Sequence, residues 1–275
     1  MPDSDGVEAP AAAAEAPSAR AAPADDVIAV RGLRKRYEDV QAVDGVSFAV
    51  RRGEVFGMLG PNGAGKTTTV EILEGLREAD SGTALIDGID VTRDPMRVKR
   101  IIGVQLQANA FFDNLTLSEL LRLFGTLYGC RVDPRPLLER VDMTEKAKSY
   151  FKTLSGGQKQ RFSIAAALVS NPVVMFLDEP STGLDPQARR HMWELVRGLQ
   201  ADGTTVLLTT HYMEEAEELC DRVAIIDQGR IIALDTPAAL IDALLATGFR
   251  NERPSREANL EDVFIRLTGR QLRDE

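Results

Sequence analysis

The 275-residue sequence contains little cysteine and no long apolar run, and both features limit the classes of protein to which it can belong. No stretch approaches the roughly 20 apolar residues that a helix needs to cross a bilayer. If the protein acts at a membrane, we therefore expect another chain to supply the membrane spans. The acidic, Ala- and Pro-rich N-terminus also lacks the apolar segment that a secretory signal peptide requires.

The two cysteines, Cys130 and Cys220, lie far apart and have no neighbouring metal ligands. This usage is typical of a reducing cytosol, although the sequence leaves their pairing open. Basic residues are also outnumbered, 33 to 42, which gives a net charge of −9. A general nucleic-acid binder requires a basic face, so we predict no nucleic-acid partner.

Changes in composition divide the chain into three parts. Residues 1–25 are of low complexity and cannot bury enough apolar surface to fold, so we predict a disordered tail. Residues 26–243 alternate apolar runs with helical patterns, as an α/β domain does, and a helical insertion interrupts them at about 108–165. Residues 244–275 form a polar linker and an amphipathic helix, which could dock on its own domain, as we favour, or pair with a partner.

What the sequence does contain is a phosphate-binding loop of the pattern G-x-x-x-x-G-K-[ST]. A short apolar strand at 54–59 precedes it, and an amphipathic helix that presents Val70, Leu73 and Leu76 on one face follows it. The loop consists of Gly60, Pro61, Asn62, Gly63, Ala64, Gly65, Lys66, Thr67 and Thr68.

The chemistry of this loop follows from its residue types. Glycines allow the backbone to curl, so that N–H groups point at a phosphate chain, and the positive end of the helix dipole adds to them. Lys66 is placed to neutralise the β- and γ-phosphates, and the Thr67 hydroxyl is placed to bind Mg²⁺.

A second anion-binding helix start occurs at residues 154–158. Ser155, Gly156 and Gly157 open a helix whose first N–H groups are free to bind a phosphate. A serine followed by two glycines is a weak signal alone, but this pentapeptide in the same chain as a phosphate loop is a strong one. The pentapeptide is Leu154-Ser155-Gly156-Gly157-Gln158.

Polar residues follow the buried strands that accompany the loop. Asp178 and Glu179 end the apolar run 173–177, where one carboxylate can hold Mg²⁺ and the other can address a nucleophilic water. His211 ends the strand 205–210 and can point at the same site. Gln107, at the end of another strand, is either a ligand near the metal and the water or a surface glutamine.

Three aromatic positions have two interpretations each. Tyr37 is either a packed residue at a strand end or a platform on which a base stacks, and we favour stacking. Phe111 and Phe112 lie in a predicted loop, where they either bind a partner or form a small satellite core. His191 lies among arginines on a helix, and we predict a structural role for it.

These motifs occur in an order that resembles the nucleotide-binding subunit of an ATP-binding cassette (ABC) transporter. The resemblance covers about residues 27–243, and the pentapeptide 154–158 is the signature that separates this family from other P-loop ATPases. Gln107 fits the spacing of the family's glutamine better than Gln105 does. The motifs are Tyr37, the loop 60–68, Gln107, the pentapeptide 154–158, Asp178 and Glu179, the turn 181–185, and His211.

The resemblance implies a fold and a reaction. It implies an α/β fold: a P-loop (RecA-like) core, an N-terminal antiparallel β subdomain, an inserted α-helical subdomain and a short C-terminal helical extension. ATP and Mg²⁺ would be held by Lys66, Thr67, Gln107 and Asp178, with Glu179 as the general base and His211 as the sensor of the γ-phosphate. In a head-to-tail pair, residues 154–158 of one copy would cover the ATP of the other, and Asp185 would lie at the seam.

The resemblance also implies partners and a location. They are a second copy of the chain and a separate permease with about six membrane spans, at the cytoplasmic face of the cell membrane. The stretch from His211 through Gly229-Arg230, with the closing segment 260–269, resembles exporters of the daunorubicin-resistance type. The alternatives are a soluble ABC ATPase without a membrane partner, and a P-loop kinase or GTPase, against which the pentapeptide argues.

Overall fold

The computed structural model describes residues 25–105, 111–249 and 259–268, and two β-sheets organise them. The smaller sheet is antiparallel and has the order β2-β1-β4-β5. Its β1 and β2 alternate buried and exposed residues, as expected for a sheet with one face on a core. The bounds are β1 Asp26–Tyr37, β2 Val40–Arg51, β4 Ser81–Ile86 and β5 Ile89–Asp90.

The larger sheet has the order β10-β9-β3-β8-β7-β6 and is parallel except for the edge strand β10. Strands β3 and β8 are buried at every position, because other elements cover both faces. The carboxyl ends of the parallel strands therefore meet at one edge. The bounds are β3 Val55–Leu59, β6 Ile102–Gln105, β7 Val174–Asp178, β8 Thr205–Thr210, β9 Arg222–Asp227 and β10 Arg230–Asp235.

The helices cover the larger sheet and form the inserted segment. Helix α8 continues past residue 243, so we propose that the domain boundary lies after Ala246 rather than before it. No helix among the described residues is both long and apolar enough to cross a membrane. The bounds are α1 Lys66–Leu73, α2 Pro95–Ile101, α3 Leu117–Leu127, α4 Pro134–Arg140, α5 Gly156–Ala167, α6 Pro186–Ala201, α7 Met213–Leu219, α8 Pro237–Ala246 and α9 Leu260–Thr268.

Helix α1 is shorter than its sequence pattern predicts. Gly75, two residues after the last residue of the helix, adopts a left-handed backbone conformation with φ of 66°, and this stops the chain from continuing as a helix. Leu76 consequently leaves the predicted apolar face and is 54% exposed. The prediction that it shares a helical face with Val70 and Leu73 is therefore wrong.

The predicted pair of aromatics at the start of the insertion divides between the two interpretations. Phe111 packs against Phe124, Phe151 and Phe162, with ring centroids 4.6 to 5.7 Å away. Phe112 is 66% exposed. The first ring is thus part of a core, and only the second is available to a partner.

The C-terminal helix α9 docks on its own domain, as we favoured. Its Leu260, Val263 and Phe264 are buried in the same core as α7 and α8. The carboxylate of Glu217 on α7 accepts a hydrogen bond from the Leu260 N–H at 2.7 Å and so caps the first turn of α9. Residues 1–24 of the predicted tail 1–25, and residues 250–258 of the predicted linker, lie outside the described residues.

Candidate nucleotide site

The phosphate loop joins the buried strand β3 to α1, and close packing requires its glycines. A Cβ at Gly60 would overlap the carbonyl oxygen of Ile226, and a Cβ at Gly65 would overlap that of Ala42. Gly65 also has a φ of 102°, which is accessible to glycine but strained for other residues. It precedes α1 without contributing a side-chain cap, so the first N–H groups of α1 remain available to an anion.

A turn between β9 and β10 supports this loop from behind. The Gly229 N–H donates to the carbonyl of Ala64 at 2.9 Å, and the Gly229 carbonyl accepts from the Asp44 N–H at 2.7 Å. Asp44 in turn pairs with Arg34 and Arg230, and these ion pairs lower its pKa, chiefly through the hydrogen bond from Arg230. The turn therefore connects the phosphate loop to the smaller sheet.

Lys66 is almost completely buried, and its amine reaches back over the loop. The Nζ atom donates to the carbonyl of Gly60 at 2.7 Å and to that of Pro61 at 3.1 Å. Burial lowers the pKa of Lys66, while the negative charges of Glu179 and Asp178 raise it. The lysine therefore lies within the electrostatic reach of both acids.

Asp178 ends β7 beside the neighbouring strand β8. Its carboxylate accepts a hydrogen bond from the Thr209 hydroxyl at 2.5 Å. Burial raises the pKa of Asp178, and the bond from Thr209 opposes that rise. Thr209 was not predicted as a site residue, since it is fully buried in an apolar strand and only its place in the sheet reveals the contact.

Glu179 turns away from the strand in a left-handed conformation with φ of 47°. Its N–H donates to the carbonyl of Thr209 at 3.1 Å, which holds the turn. The His211 Nδ1 atom lies 3.2 Å from Oε1, and the Thr182 hydroxyl donates to Oε2 at 3.1 Å. The close approach of His211 chiefly lowers the pKa of Glu179, against the effect of burial, so the carboxylate is ionised near neutral pH.

The structure thus brings together Lys66, Asp178, Glu179 and His211, which lie far apart in the sequence. They follow β3, β7 and β8, which are adjacent parallel strands. Thr67 is exposed at the start of α1. Gln107 lies outside the described residues, and the alternative Gln105 is fully buried at the end of β6.

Glu74 is a second residue that the sequence did not reveal. It directly follows α1 and is 3% exposed, and its Oε2 atom has no hydrogen-bond partner among the described residues. Burial raises the pKa of Glu74 to about 8, with further contributions from Asp178 and Glu71. The Glu74 carboxyl is protonated more readily in the folded than in the unfolded chain. The free energy of unfolding should therefore fall as pH rises from about 4.5 towards 8.

We therefore predict that Glu74→Gln removes this pH dependence. Relative to wild type, the variant should gain up to about 3 kcal/mol of unfolding free energy between pH 5 and pH 7.5. Urea unfolding of nucleotide-free protein in EDTA at both pH values measures this gain. Glu78→Gln, at an exposed neighbouring position, is the control. A wild-type–variant difference that does not change with pH would contradict the prediction.

The pentapeptide 154–158 opens α5 with a reciprocal cap. The Gln158 N–H donates to the Ser155 hydroxyl at 3.3 Å, and the Ser155 N–H donates to the Gln158 side chain at 3.0 Å. This leaves the N–H groups of Gly156 and Gly157 at the start of the helix for an external acceptor.

Ser155, Gly156 and Gly157 line a cleft of about 270 Å³ together with Gly183, Asp185 and His191. Asp185 itself caps α6 by accepting from the N–H groups of Gln187 and Ala188 at 3.0 and 2.9 Å. His191 is exposed in this cleft, and its structural role stays a prediction. Among the described residues, those that line the cleft include none from the phosphate loop.

Tyr37 lies at the end of β1 with its ring half-buried. The Lys35 amine and the Arg77 guanidinium approach the ring at 5.6 and 5.5 Å from its centroid. Both contacts are cation–π interactions, which favour a ring of fixed orientation. The two interpretations of Tyr37 both remain compatible with this position.

Comparison with known proteins identifies the family. Residues 43–182 match the ABC transporter family. Nod factor export ATP-binding protein I of Ralstonia nicotianae (strain ATCC BAA-1114 / GMI1000) is 39% identical over 306 residues, covering 90% of this chain and 95% of that protein. Daunorubicin resistance ATP-binding protein DrrA2 of Streptomyces coeruleorubidus is 47% identical over 222 residues, covering 78% of this chain and 69% of that protein.

Solved structures of ABC transporter subunits are similar to this chain. An ATP binding subunit of an ABC transporter superimposes with a TM-score of 0.76 at 30% identity, covering 88% of this chain and 99% of that chain. The dimeric bacterial ABC transporter cassette MJ0796 superimposes with a TM-score of 0.68 at 25% identity, covering 76% and 98%. The predicted fold, a P-loop core with a β subdomain and a helical insertion, is confirmed. The chain belongs to the ABC transporter family and is one of its ATP-binding, ATP-hydrolysing subunits.

Proposed function

We propose that this chain powers the export of a drug, an antibiotic or another lipophilic compound through a separate permease. Two relatives are named for Nod factor export and for daunorubicin resistance, and both names support a role in export. The observation that carries the hydrolytic role is the contact between Glu179 and His211, 3.2 Å apart beside the buried Lys66.

The site residues fit a nucleotide with Mg²⁺. Lys66 and the N–H groups of residues 60–68 bind the phosphates, and Tyr37 stacks on the adenine. Mg²⁺ prefers oxygen ligands, which the Thr67 hydroxyl and the Asp178 carboxylate provide, with Gln107 as a third. The orientation of Asp178 by Thr209 suits this role. When bound, Mg²⁺ neutralises phosphate charge.

Hydrolysis requires a base, and Glu179 provides it. The ionised carboxylate accepts a proton from water as the water oxygen attacks the γ-phosphorus, and the bond to the β-phosphate oxygen breaks. The products are ADP and phosphate, and the proton passes from Glu179 to solvent. His211 orients Glu179 through Nδ1 and contacts the γ-phosphate through its other nitrogen.

A second copy completes the site. The N–H groups of Gly156 and Gly157 face a cleft that the phosphate loop does not line, so they serve the ATP of a partner. Asp185 lies at the rim of that cleft and at the seam of the pair. Binding of ATP closes the pair, and loss of the γ-phosphate reopens it.

The permease docks on the helical insertion, at the cytoplasmic face of the membrane. Phe112 is exposed there and provides an apolar contact for a helix of the permease, which has about six spans. The rival, a soluble ABC ATPase, usually carries a long coiled-coil insertion. Helices α3 and α4 of the insertion have only 11 and 7 residues.

Mixed dimers test the shared site. Lys66→Ala breaks the phosphate loop, and Ser155→Arg blocks the pentapeptide, so each variant alone should lose hydrolysis. A mixed dimer contains one intact composite site, and we expect an equimolar mixture to recover up to about a quarter of the wild-type rate. Phosphate release measures this recovery. A mixture as inactive as its components, although mixed dimers form, would contradict a site shared between copies.

Export is tested by the partner that the chain binds. Tagged Glu179→Gln protein, purified with ATP from mild detergent extracts of its native host, should carry a permease with about six spans. Phe112→Ser should release the permease, whereas Leu127→Ser, at another exposed apolar position of the insertion, should not. Recovery of a homodimer alone, from the membrane-free fraction, would favour the soluble rival.

A further inference from the structure

A buried carboxylate behind the site has no role in the reaction described so far. Glu215 on α7 is fully buried. Its Oε1 atom accepts a hydrogen bond from the Ser181 hydroxyl and another from the indole N–H of Trp193 at 3.3 Å. Burying a carboxylate is costly, so a retained one needs such partners.

The surroundings of Glu215 come from three different elements. Burial raises the pKa of its carboxyl, while the hydrogen bond from Ser181, the nearby Thr210 side chain, the hydrogen bond from Trp193 and the charge of Arg189 lower it. Arg189 and Trp193 lie on α6, and Thr210 ends β8. The guanidinium of Arg189 also lies over the ring of Tyr212, 4.8 Å from its centroid. Glu215 therefore joins α6, α7 and the end of β8.

The partners of Glu215 are close in sequence to the reacting groups. Ser181 is two residues after Glu179, and the intervening turn is closed by the Thr182 N–H, which donates to the Glu179 carbonyl at 3.1 Å. Glu215 is four residues after His211. The hydrogen bond between Ser181 and Glu215 therefore closes a ring of contacts. It runs from Glu179 along the turn to Ser181, across to Glu215, along the chain to His211, and back to Glu179, which lies 3.2 Å from His211.

We infer that Glu215 is a positioning residue for hydrolysis, which holds the turn after Glu179 against α7 and thereby fixes Glu179 and His211 relative to each other. The inference rests on the proposed roles of those two residues. The left-handed backbone of Glu179 makes such a restraint useful, since this conformation persists only where the surroundings enforce it.

The test is a double-mutant cycle in the full chain, with ATP hydrolysis and ATP affinity both measured. Glu215→Ala and Ser181→Ala should each lower kcat about tenfold and leave KM and the ATP Kd within about twofold. Because both remove the same bond, the double variant should be no slower than the slower single variant. Glu215→Gln keeps an acceptor for Ser181 and Trp193 and should restore most of kcat. Glu214→Ala, on the exposed face of the same helix, is the control.

Two results would overturn the inference. One is a folded Ser181→Ala variant with lower thermal stability but wild-type kcat, together with a Glu215→Ala kcat within about twofold of wild type. The other is a double variant whose fold loss in kcat equals the product of the fold losses in the two single variants. Glu179→Gln, assayed in parallel, distinguishes a failure of the proposed catalytic base from a failure of the role inferred for Glu215. If it remains active, the proposed base is wrong, whereas if it is inactive and the cycle shows no coupling, only the role of Glu215 is wrong.

Discussion

Replacement of Glu179 by glutamine should lower the rate of ATP hydrolysis by about a thousandfold, since a positioned general base contributes about 10² to 10⁴. The amide has nearly the same shape and can still accept from the Thr182 hydroxyl, which lies 3.1 Å from Oε2 in the wild type. It cannot accept a proton from water. The ATP affinity should therefore change little, and the closed, ATP-loaded dimer should accumulate.

Single-turnover phosphate release and size-exclusion chromatography with ATP measure the two effects. Glu214→Gln, an exposed glutamate on α7, should behave as wild type and controls for the loss of one charge. Phosphate release at the wild-type rate from Glu179→Gln would exclude Glu179 as the base.

Replacement of Lys66 by alanine should weaken ATP binding by about 100-fold, because hydrogen bonds to charged groups contribute about 1.5–3 kcal/mol each. The amine is buried within the loop and donates to the Gly60 and Pro61 carbonyls. A triphosphate would give this buried charge a partner of opposite sign. The loss should appear with and without Mg²⁺, since lysine contacts the phosphates directly.

Titration of a fluorescent ATP analogue measures this affinity. Lys152→Ala, at an exposed position outside the loop, is the control for the loss of one positive charge. Thr67→Ala offers a sharper comparison, because it should weaken binding only when Mg²⁺ is present. An unchanged titration of Lys66→Ala would remove the phosphate-loop assignment.

The parts of the site that the sequence predicts are those determined by local pattern. The loop 60–68 and the capped start of α5 each depend on residues a few positions apart, and both form as predicted. Asp178, Glu179 and His211 were predicted as well, because polar residues that end buried parallel strands must meet at one edge of the sheet.

The unpredicted parts depend on distant contacts or on single backbone angles. Thr209, Glu74 and Glu215 are polar residues inside apolar surroundings, and each acquires its significance from a partner on another element. The left-handed conformation of Gly75 ends α1, and the apolar spacing of Leu73 and Leu76 does not reveal this end. The two phenylalanines show the same limit, since contacts with rings on other elements bury Phe111 and leave Phe112 exposed.

The carbonyl oxygen of Ala42 is the point at which β2, the phosphate loop and the turn after β9 meet. It lies so close to Gly65 and Gly229 that neither glycine could carry a side chain without displacement; a Cβ on Gly229 would lie 2.8 Å from it. Because these backbone segments are in direct packing contact, they cannot shift relative to one another without disrupting that contact. We therefore expect the smaller sheet to move with the loop as one body when nucleotide enters or leaves.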